Sequence, residues 1–385
     1  MPAPPRIRRR SRPTACRLES PGWTDRTRAA LERLLREGAG QRLPVVFDFD
    51  NTIVCGDIGE ATLALLVRSG RLKAANLPPT LCPPFRPPGK ETTSLAACAD
   101  LTEYYEAFLA PTAHGGNDPT PLANGYVWAV EIMAGLSPLE VVLATREAFA
   151  LSQAAATQPC RIEVTPGRTG YPAPFFYAEM VELIAELLRQ RFEVWIVSAS
   201  NVWSVRWMVL RALNPLLRQR GLRQGIRADQ VIGIATLLAD RQGRLFKDSV
   251  LVREHGGYAA LEDGALAALN LTSRLQFPVP TYSGKVACLW DVLGRTPYLG
   301  VGDSPGDHAM MTFSRHRLWI ARLEKPGYQR ATAELIRKTG TDGWMVQPVL
   351  TKQTPGFVSD LGELGRRLGK TSAEVREAAT ILSRL

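Results

Sequence analysis

Short apolar segments that run into acidic or hydroxyl side chains constrain the fold of this chain more than any other feature. One segment, of sequence PVVFDFD, leads directly into Asp48 and Asp50. A second segment ends at Ser198 and a third at Asp303. Continuous apolar runs of this length are typical of strands that are buried on both faces of a sheet. We therefore expect three buried strands, each of which places a polar side chain at its carboxyl end.

Stretches with helical periodicity separate these strands, and a long one covers residues 175–191. The alternation of buried strands with helices predicts an α/β fold with a doubly wound, Rossmann-like parallel sheet. In such sheets ligands bind at the carboxyl ends of the strands. The polar side chains that end the strands are therefore expected to meet at one edge of the sheet.

A long segment between the first two strands, residues 58–174, has helical patterns, loops rich in proline and glycine, and no strong strand signal. The six prolines of residues 77–89 exclude regular structure there. We expect the long segment to form a mainly α-helical domain inserted into the α/β core. The predicted domains are a basic arm with an N-terminal helix (1–40), the core (41–57 and 175–350), the helical insertion (58–174) and a C-terminal helical tail (351–385).

Positive charge is concentrated at the N-terminus. Residues 1–36 hold ten arginines against three acidic residues, a balance of +7 within a net charge of +10. A basic arm can bind nucleic acid or anionic lipid, but arms without aromatic side chains are unspecific signals. The pattern favours a solvated tail, so nucleic acid is not an expected partner.

The sequence also indicates where the protein resides. No apolar run approaches the roughly 20 residues that a membrane-spanning helix needs. The start, rich in arginine and proline, lacks the apolar centre of a signal peptide. The six cysteines are scattered and form no CxxC pair. A cytoplasmic protein with reduced thiols is the expectation that follows, and the oligomeric state is left open.

Two carboxylates stand two residues apart at the end of the first strand. The period of two in a strand would send the side chains of Asp48 and Asp50 toward the same side. Carboxylates this close repel each other unless a cation or a shared proton compensates. A tight turn after the third strand brings Asp303 and Asp307, and Lys285 adds a cation for a phosphate oxygen. Mg²⁺, which binds carboxylates together with phosphate oxygens, suits this set.

In order and spacing, these residues resemble the four signature motifs of the haloacid dehalogenase superfamily. The motifs that carry the resemblance are Asp48-x-Asp50-x-Thr52, the strand-terminal Ser198, Lys285, and Gly302-Asp303-x-x-x-Asp307. Residues 231–285 are similar to the phosphoserine-phosphatase-like branch. The helical insertion matches the position of that family's C1 cap. Each motif alone is weak, but four in order are specific.

The resemblance implies a phosphatase. Asp48 is the implied nucleophile, which forms an aspartyl-phosphate and so divides a difficult hydrolysis into two easier steps. Asp50 is the implied general acid for the leaving alkoxide and then the base for water. Because the dehalogenases of the superfamily lack this second aspartate, dehalogenation is rejected.

The resemblance also implies binding roles for the remaining motif residues. The implied Mg²⁺ ligands are Asp48, Asp50 through its backbone carbonyl, and Asp303, with Asp307 as a further ligand or as a support for the others. The implied phosphate-binding residues are Thr52, Ser198 and Lys285. Neutralisation of the transferring phosphoryl group is the main need of such a site.

The expected substrate is a small-molecule phosphomonoester, and two features indicate an amino or choline group on it. Asp57 stands where phosphoserine phosphatases have an acid, usually glutamate, that contacts the amino group of the substrate. Aromatic side chains combined with an acid recognise quaternary ammonium groups. The insertion and its return carry seven aromatics: Tyr104, Tyr105, Tyr126, Trp128, Phe175, Phe176 and Tyr177. The alternative is that these aromatics pack in the core.

Two other functions stay open at this point. The same intermediate could pass its phosphate to an alcohol, which would make the protein a phosphotransferase. The chain could instead be a non-catalytic protein that binds polyanions through its arginine-rich arm. The complete set of acids argues against this last function, because drift would be expected to break at least one of them.

Overall fold

A computed structural model of the protein describes residues 17–85, 91, 93–113, 125–154 and 160–385. The arginine-rich arm as far as residue 16 therefore lies outside the described residues, and its predicted role is not addressed by the structure. Among the described residues, none of the helices combines the length and the apolar character that crossing a bilayer requires.

Fourteen strands occur in the described part of the chain. In chain order they are β1 (Pro44–Phe47), β2 (Val54–Cys55), β3 (Arg161–Glu163), β4 (Gly170–Pro172), β5 (Phe175–Phe176), β6 (Glu193–Asn201), β7 (Val231–Ile234), β8 (Thr236–Ala239), β9 (Leu245–Phe246), β10 (Asn270–Leu275), β11 (Leu299–Gly302), β12 (His316–Arg322), β13 (Trp344–Leu350) and β14 (Gly356–Phe357).

The same residues form sixteen α-helices. They are α1 (Asp25–Gly38), α2 (Ile58–Arg68), α3 (Leu101–Ala113), α4 (Gly125–Glu131), α5 (Pro138–Ala154), α6 (Ala178–Arg189), α7 (Val202–Trp207), α8 (Asn214–Gln219), α9 (Asp248–Glu254), α10 (Gly256–Ala259), α11 (Asp263–Ala267), α12 (Gly284–Leu293), α13 (His308–Phe313), α14 (Pro326–Thr339), α15 (Leu364–Leu368) and α16 (Ala373–Leu382).

Seven strands form the central sheet in the order β14-β13-β12-β11-β1-β6-β7. Neighbouring strands run parallel except β13 and β14. Strand β1 lies between β11 and β6, so Phe47 pairs with Val301 on one side and with Ile196 on the other. All four residues of β1 are buried, as expected for an apolar strand covered on both faces. The predicted α/β fold with a parallel-dominated sheet is confirmed.

The insertion is mainly helical, as predicted, and α2 packs against α5. It also contains β3 and β4, which pair as an antiparallel hairpin that the sequence pattern did not indicate. Three-residue strands are too short for a readable alternation of polar and apolar side chains. Gly170 makes the pairing possible, since at φ 143° a Cβ there would lie 2.2 Å from the carbonyl oxygen of Ile162.

The predicted helix over residues 175–191 begins later than expected. Phe175 and Phe176 form β5, which pairs with β2, and the helix itself starts at Ala178. Strand pairing thus overrides local helical periodicity at this position. The pairing ties the end of the insertion to the loop that follows β1.

Both ends of the described chain pack on the core. The buried carboxylate of Glu182 accepts hydrogen bonds from the backbone N–H of Glu19 and from Nε1 of Trp23, which holds residues 18–23 on α6. Helix α16 of the tail contacts α14, and its Val375 belongs to a separate hydrophobic cluster with Trp319. The predicted domain limits remain predictions.

Candidate active site

Three acidic side chains meet beyond the carboxyl ends of two central strands. Asp48 follows β1, Asp303 follows β11, and Asp307 lies in the turn after β11. One carboxylate oxygen of each lies within 4.8 Å of one oxygen of the others, and all three residues are buried. The parallel arrangement of β1 beside β11 explains the meeting, because it brings both carboxyl ends to one edge.

The turn after β11 is shaped around Asp307. Oδ2 of Asp307 accepts hydrogen bonds from the backbone N–H of Asp303 at 3.1 Å and of Ser304 at 3.2 Å. Gly302 permits this close approach, since a Cβ there would lie 2.5 Å from Cβ of Asp307. Gly302 is therefore needed at its position because the side chain of Asp307 packs against it.

Lys285 joins two of the acids. Its Nζ lies 2.6 Å from Oδ1 of Asp48 and 2.6 Å from Oδ1 of Asp307, and the side chain is buried at the start of α12. Burial by itself would lower the pKa of Lys285, but the adjacent Asp307 and Asp48 raise it well above its usual value. The ammonium group is therefore charged at every working pH.

Thr52 restrains the carboxylate of Asp48 through a hydrogen bond. The hydroxyl of Thr52 donates to Oδ2 of Asp48 at 2.9 Å, after a turn in which Asn51 has φ 55°. Thr52 is fully buried and is not part of the cavity lining, so the structure places this predicted phosphate-binding residue as a support for Asp48. Burial, and next the charge of Asp307, raise the pKa of Asp48 to about 7 against the opposing effect of Lys285.

The side chain of Asp50 does not belong to the three clustered acids. Its Oδ1 accepts the backbone N–H of Ile58 at 2.7 Å, and its Oδ2 accepts the hydroxyls of Ser200 at 2.8 Å and Ser198 at 3.1 Å. Burial, and next the charge of Asp57, raise the pKa of Asp50 to about 8 although these hydrogen bonds oppose the change. Any contribution of Asp50 to a metal site would fall to its backbone carbonyl.

Ser198 lies behind Asp50 and does not face the cavity. It is fully buried, and besides donating to Asp50 its hydroxyl accepts the backbone N–H of Ser200 at 3.0 Å. Strand β6 runs on to Asn201, and Ala199 and Ser200 are its residues in the cavity lining. The contact of Ser200 with Asp50 was not predicted from the sequence.

The carboxylate cluster fits a magnesium ion. Its donors are all oxygens, which Mg²⁺ prefers. Oδ2 of Asp303 is buried and accepts no well-directed hydrogen bond from the described residues, although Nε of Arg322 lies 2.7 Å away as an ion pair; a buried carboxylate oxygen without a hydrogen bond is costly. A cation that completes its coordination there would remove that cost.

A cavity of about 590 Å³ opens in front of these acids. The insertion contributes Asp57 and Tyr126 to its lining, and one face of α14 contributes further residues, among them Tyr328 and Lys338. A phosphoryl group fills only a small part of this volume. The remaining space is sufficient for a substantial leaving group.

Asp57 combines a structural position with a place in the cavity lining. As the N-cap of α2, its Oδ1 accepts the backbone N–H of Glu60 at 2.9 Å, and the hydroxyl of Ser200 lies 3.3 Å away. Burial raises the pKa of Asp57 to about 6, with a contribution from the charge of Asp48, although backbone hydrogen bonds oppose the change. The predicted contact residue thus reaches the cavity.

The predicted aromatic cage is not assembled. Tyr104, Tyr105 and Trp128 pack on one another inside the insertion, and Tyr177 packs on Phe357. For these side chains the alternative of core packing is correct. Of the seven predicted aromatics the cavity lining includes Tyr126, and it gains Tyr282 and Tyr328, which sequence reasoning missed.

A largely buried arginine also lies in the cavity lining and was not predicted. Nε of Arg322, the last residue of β12, is 2.7 Å from Oδ2 of Asp303. Nothing in the local sequence separates Arg322 from the many other arginines of the chain. Its position beside β11 could have been inferred only from the strand order.

Comparisons with known proteins give a fold but no family. No protein-family model and no curated protein matches the sequence. A conserved protein of unknown function from Anaerococcus prevotii DSM 20548 has a TM-score of 0.56 at 16% identity, over 88% of this chain and 96% of its own. That likeness shows a shared fold.

Weaker likenesses include enzymes of the superfamily that the motifs resemble. A substrate-bound phosphoserine phosphatase has a TM-score of 0.36 at 12% identity, over 72% of this chain and 86% of its own. A haloacid dehalogenase family hydrolase from Salmonella enterica serovar Typhi has a TM-score of 0.38 at 11% identity, over 77% of this chain and 73% of its own. At such scores the likenesses carry no conclusion about activity, which has to be argued from the site.

Proposed function

We propose that the protein is a magnesium-dependent hydrolase of small-molecule phosphomonoesters, with Asp48 as the nucleophile. The observation that carries this proposal is the meeting of Asp48, Asp303 and Asp307 within 4.8 Å, with Lys285 bridging two of them. Such a set of carboxylates and a buried cation suits a reaction whose transition state needs charge stabilisation above all.

The proposed reaction has two balanced steps. In the first, a carboxylate oxygen of Asp48 forms a bond to phosphorus while the ester P–O bond breaks, and the leaving alkoxide takes a proton from Asp50. In the second, the oxygen of a water molecule attacks the same phosphorus, Asp50 takes a proton from the water, and the bond to Asp48 breaks. The products are an alcohol and inorganic phosphate.

The surroundings of Asp50 support its role as acid and base. A pKa of about 8 keeps the carboxyl largely protonated at neutral pH, as the first step requires. The hydroxyls of Ser198 and Ser200 and the N–H of Ile58 fix its orientation. These contacts also support the ionised form that must exist between the two steps.

Asp48, Asp303 and Asp307 would hold Mg²⁺ at this site. The bound ion would supply neutralisation of negative charge on the phosphoryl oxygens. Lys285 adds a fixed positive charge beside Asp48, and Thr52 restrains the orientation of the nucleophile. Ser198 acts through Asp50 in this proposal, as a positioning residue.

The substrate hypothesis is narrower than the sequence alone suggested. Asp57 and Tyr126 both line the cavity and together support a cationic group on the substrate. An amino-bearing phosphomonoester therefore stays in the proposal, whereas a full cage for choline loses most of its predicted members. Transfer of phosphate to an alcohol uses the same intermediate, and product analysis with added acceptor alcohols distinguishes it from hydrolysis.

The test is a metal-dependent substrate screen. Purified protein is assayed on phosphoethanolamine, phosphocholine, phosphoserine and sugar phosphates with Mg²⁺ and with EDTA. We expect turnover that requires Mg²⁺, and phosphate on Asp48 after acid quenching, detected by peptide mass spectrometry. Asp48→Asn should abolish both, whereas Asp342→Asn, on an exposed loop, should abolish neither. Turnover that persists in Asp48→Asn would contradict the assignment of the nucleophile.

A further inference from the structure

The position of Arg322 follows from the register of two neighbouring strands. Gly302, the last residue of β11, pairs with Trp319, so β12 continues for three more residues beyond the end of its neighbour. This extension carries Arg322 into the cavity lining beside Asp303. The side chain is only 12% exposed, so the protein has placed a guanidinium group on the cavity wall largely out of bulk water.

The guanidinium group has donors that the protein does not satisfy. It offers five N–H donors, yet among the described residues its side chain forms no well-directed hydrogen bond, and the buried Nε has only an ion-pair contact. The contact with Asp303 is an ion pair of favourable distance and poor direction. The ring of Tyr328 covers the group, with its centroid 5.2 Å from Cζ.

A second buried arginine shows what a structural pair looks like in this protein. Nη1 and Nη2 of Arg206 donate to the two carboxylate oxygens of Asp248 at 2.9 and 2.6 Å. This is the bidentate geometry that arginine and carboxylate adopt when they pair, although Nε of Arg206, like that of Arg322, forms no hydrogen bond with the described residues. Arg322 lacks it, and Asp303 is also among the residues that would hold Mg²⁺. A purely structural role therefore leaves the donors of Arg322 unexplained.

We propose that Arg322, held by Tyr328, binds a second anionic group on the substrate, a carboxylate or a second phosphate on its leaving group. This proposal rests on the proposed function and deepens it. A buried cation with free N–H donors is the chemistry that recognises such groups bidentately. Ala331, Glu334 and Leu335 of α14 line the same cavity as Arg322, and its volume of about 590 Å³ leaves room for the carbon skeleton between the two anionic groups.

The test compares two substrates with the same three-carbon skeleton. In 3-phosphoglycerate a carboxylate replaces the neutral hydroxymethyl group of glycerol 3-phosphate. The wild-type protein should prefer 3-phosphoglycerate in kcat/KM by about 10- to 100-fold, the value of one charge-assisted pair. Fructose 1,6-bisphosphate against fructose 6-phosphate tests a second phosphate in the same way. A preference in either pair supports the subsite and identifies the anion. Equal kcat/KM within both pairs would overturn it.

Variants then assign the preference to Arg322. Arg322→Gln should remove most of the preference in kcat/KM. Arg322→Lys keeps the positive charge but loses the planar, bidentate donor geometry of the guanidinium group, so it should retain part of the preference. The matched control is Arg330→Gln on α14, an exposed arginine paired with Glu377, which should keep the wild-type ratio. If Arg322 served only to position Asp303, Arg322→Gln would slow both substrates of a pair equally and weaken the dependence on Mg²⁺. That result would overturn the subsite.

Binding measurements keep this proposal separate from the proposed function. Calorimetry with Asp48→Asn protein and Mg²⁺ measures the same ligand pairs without turnover. A retained preference in binding, together with no hydrolysis by the wild-type protein, would contradict the catalytic proposal and leave the anion subsite standing. Hydrolysis by the wild-type protein, with equal affinities within both ligand pairs, would contradict the anion subsite and leave the catalytic proposal standing. Should Arg322→Gln fail to fold, the wild-type ratios and Arg322→Lys still decide.

Discussion

Lys285 and Asp48 form a buried ion pair of 2.6 Å although they stand 237 positions apart in the chain. The lysine also contacts Asp307 at the same distance, so one ammonium group compensates two buried carboxylates. Removing one partner of a buried ion pair leaves an uncompensated charge, which is more costly than never having formed the pair. Lys285 is therefore expected to matter for stability as well as for phosphate binding.

Lys285→Met should lower the free energy of unfolding by about 3–5 kcal/mol in the absence of metal, because Asp48 and Asp307 are left buried without a counter-charge. It should also reduce turnover at least about 100-fold, as loss of a charge-stabilising group does. Urea denaturation and steady-state kinetics measure the two effects. Lys370→Met, at an exposed position in the tail, is the matched control. A stability loss under about 1 kcal/mol would show that the pair is not buried in solution.

Ser200→Ala should move the alkaline limb of the pH profile of kcat upward by about one unit. The hydroxyl of Ser200 donates to Asp50 at 2.8 Å, which favours the ionised carboxylate. Without it the pKa of Asp50 rises further above about 8, and the protonated acid persists to higher pH. Ser314→Ala, whose hydroxyl bonds to the backbone of Met310, should leave the profile in place. An alkaline limb that remains at the same pH, or moves to lower pH, in Ser200→Ala would argue against Asp50 as the acid.

Magnesium should stabilise the protein more at pH 8 than at pH 5. Burial is the main cause that raises the pKa of Asp48 to about 7 and of Asp303 to about 8, against about 3.9 in an unfolded chain. Between pH 4 and 8 the folded metal-free protein therefore holds protons that the unfolded chain has released. Its free energy of unfolding consequently falls as the pH rises through this range.

Mg²⁺ binds the ionised carboxylates and must displace those protons at lower pH. We expect millimolar Mg²⁺ to raise Tm by about 2–5 °C at pH 8 and by clearly less at pH 5, measured by differential scanning fluorimetry. Asp303→Asn should abolish the increase at pH 8. An increase of equal size at both pH values would be inconsistent with metal binding to these acids.

Two substitutions of Asp57 separate its structural role from its proposed contact with substrate. Asp57→Asn keeps a side-chain oxygen that can cap α2, whereas Asp57→Ala loses it and should cost about 1 kcal/mol of stability. If the carboxylate binds an amino group, both changes should lower kcat/KM for phosphoethanolamine by about tenfold relative to glycerol 3-phosphate. Substrate kinetics with thermal unfolding measure both effects. An unchanged substrate ratio in Asp57→Asn would leave Asp57 as a helix cap alone.

The acids of the site could be predicted because local pattern and one topological rule were enough, whereas Lys285 was indicated by its place among the four motifs. Apolar runs that end in Asp48 and Asp303 indicate buried strands, and buried parallel strands bring their carboxyl ends together. The structure brings these residues within reach of one another, together with Lys285. The orientation of Asp50 could not be predicted, since it depends on hydroxyls of β6 and on the N–H of Ile58.

Local sequence pattern did not predict the short strands or the positions of the aromatic side chains. The hairpin of β3 and β4 has strands of three residues each, too few to show periodicity. An aromatic residue in a helix looks the same in sequence whether it packs in the core or faces a cavity. Tyr104 and Tyr126 show both outcomes, the first fully buried in the insertion and the second in the cavity lining.

The sequence by itself determined the α/β class, the helical character of the insertion and the acidic residues at the strand ends, because these depend on short-range hydrophobic patterns. Only the tertiary structure decided which further side chains face the cavity. Arg322 is one arginine among many until β12 takes its place beside β11 and extends past it. Strand order and register are set by packing between distant segments, and no local run of residues encodes them.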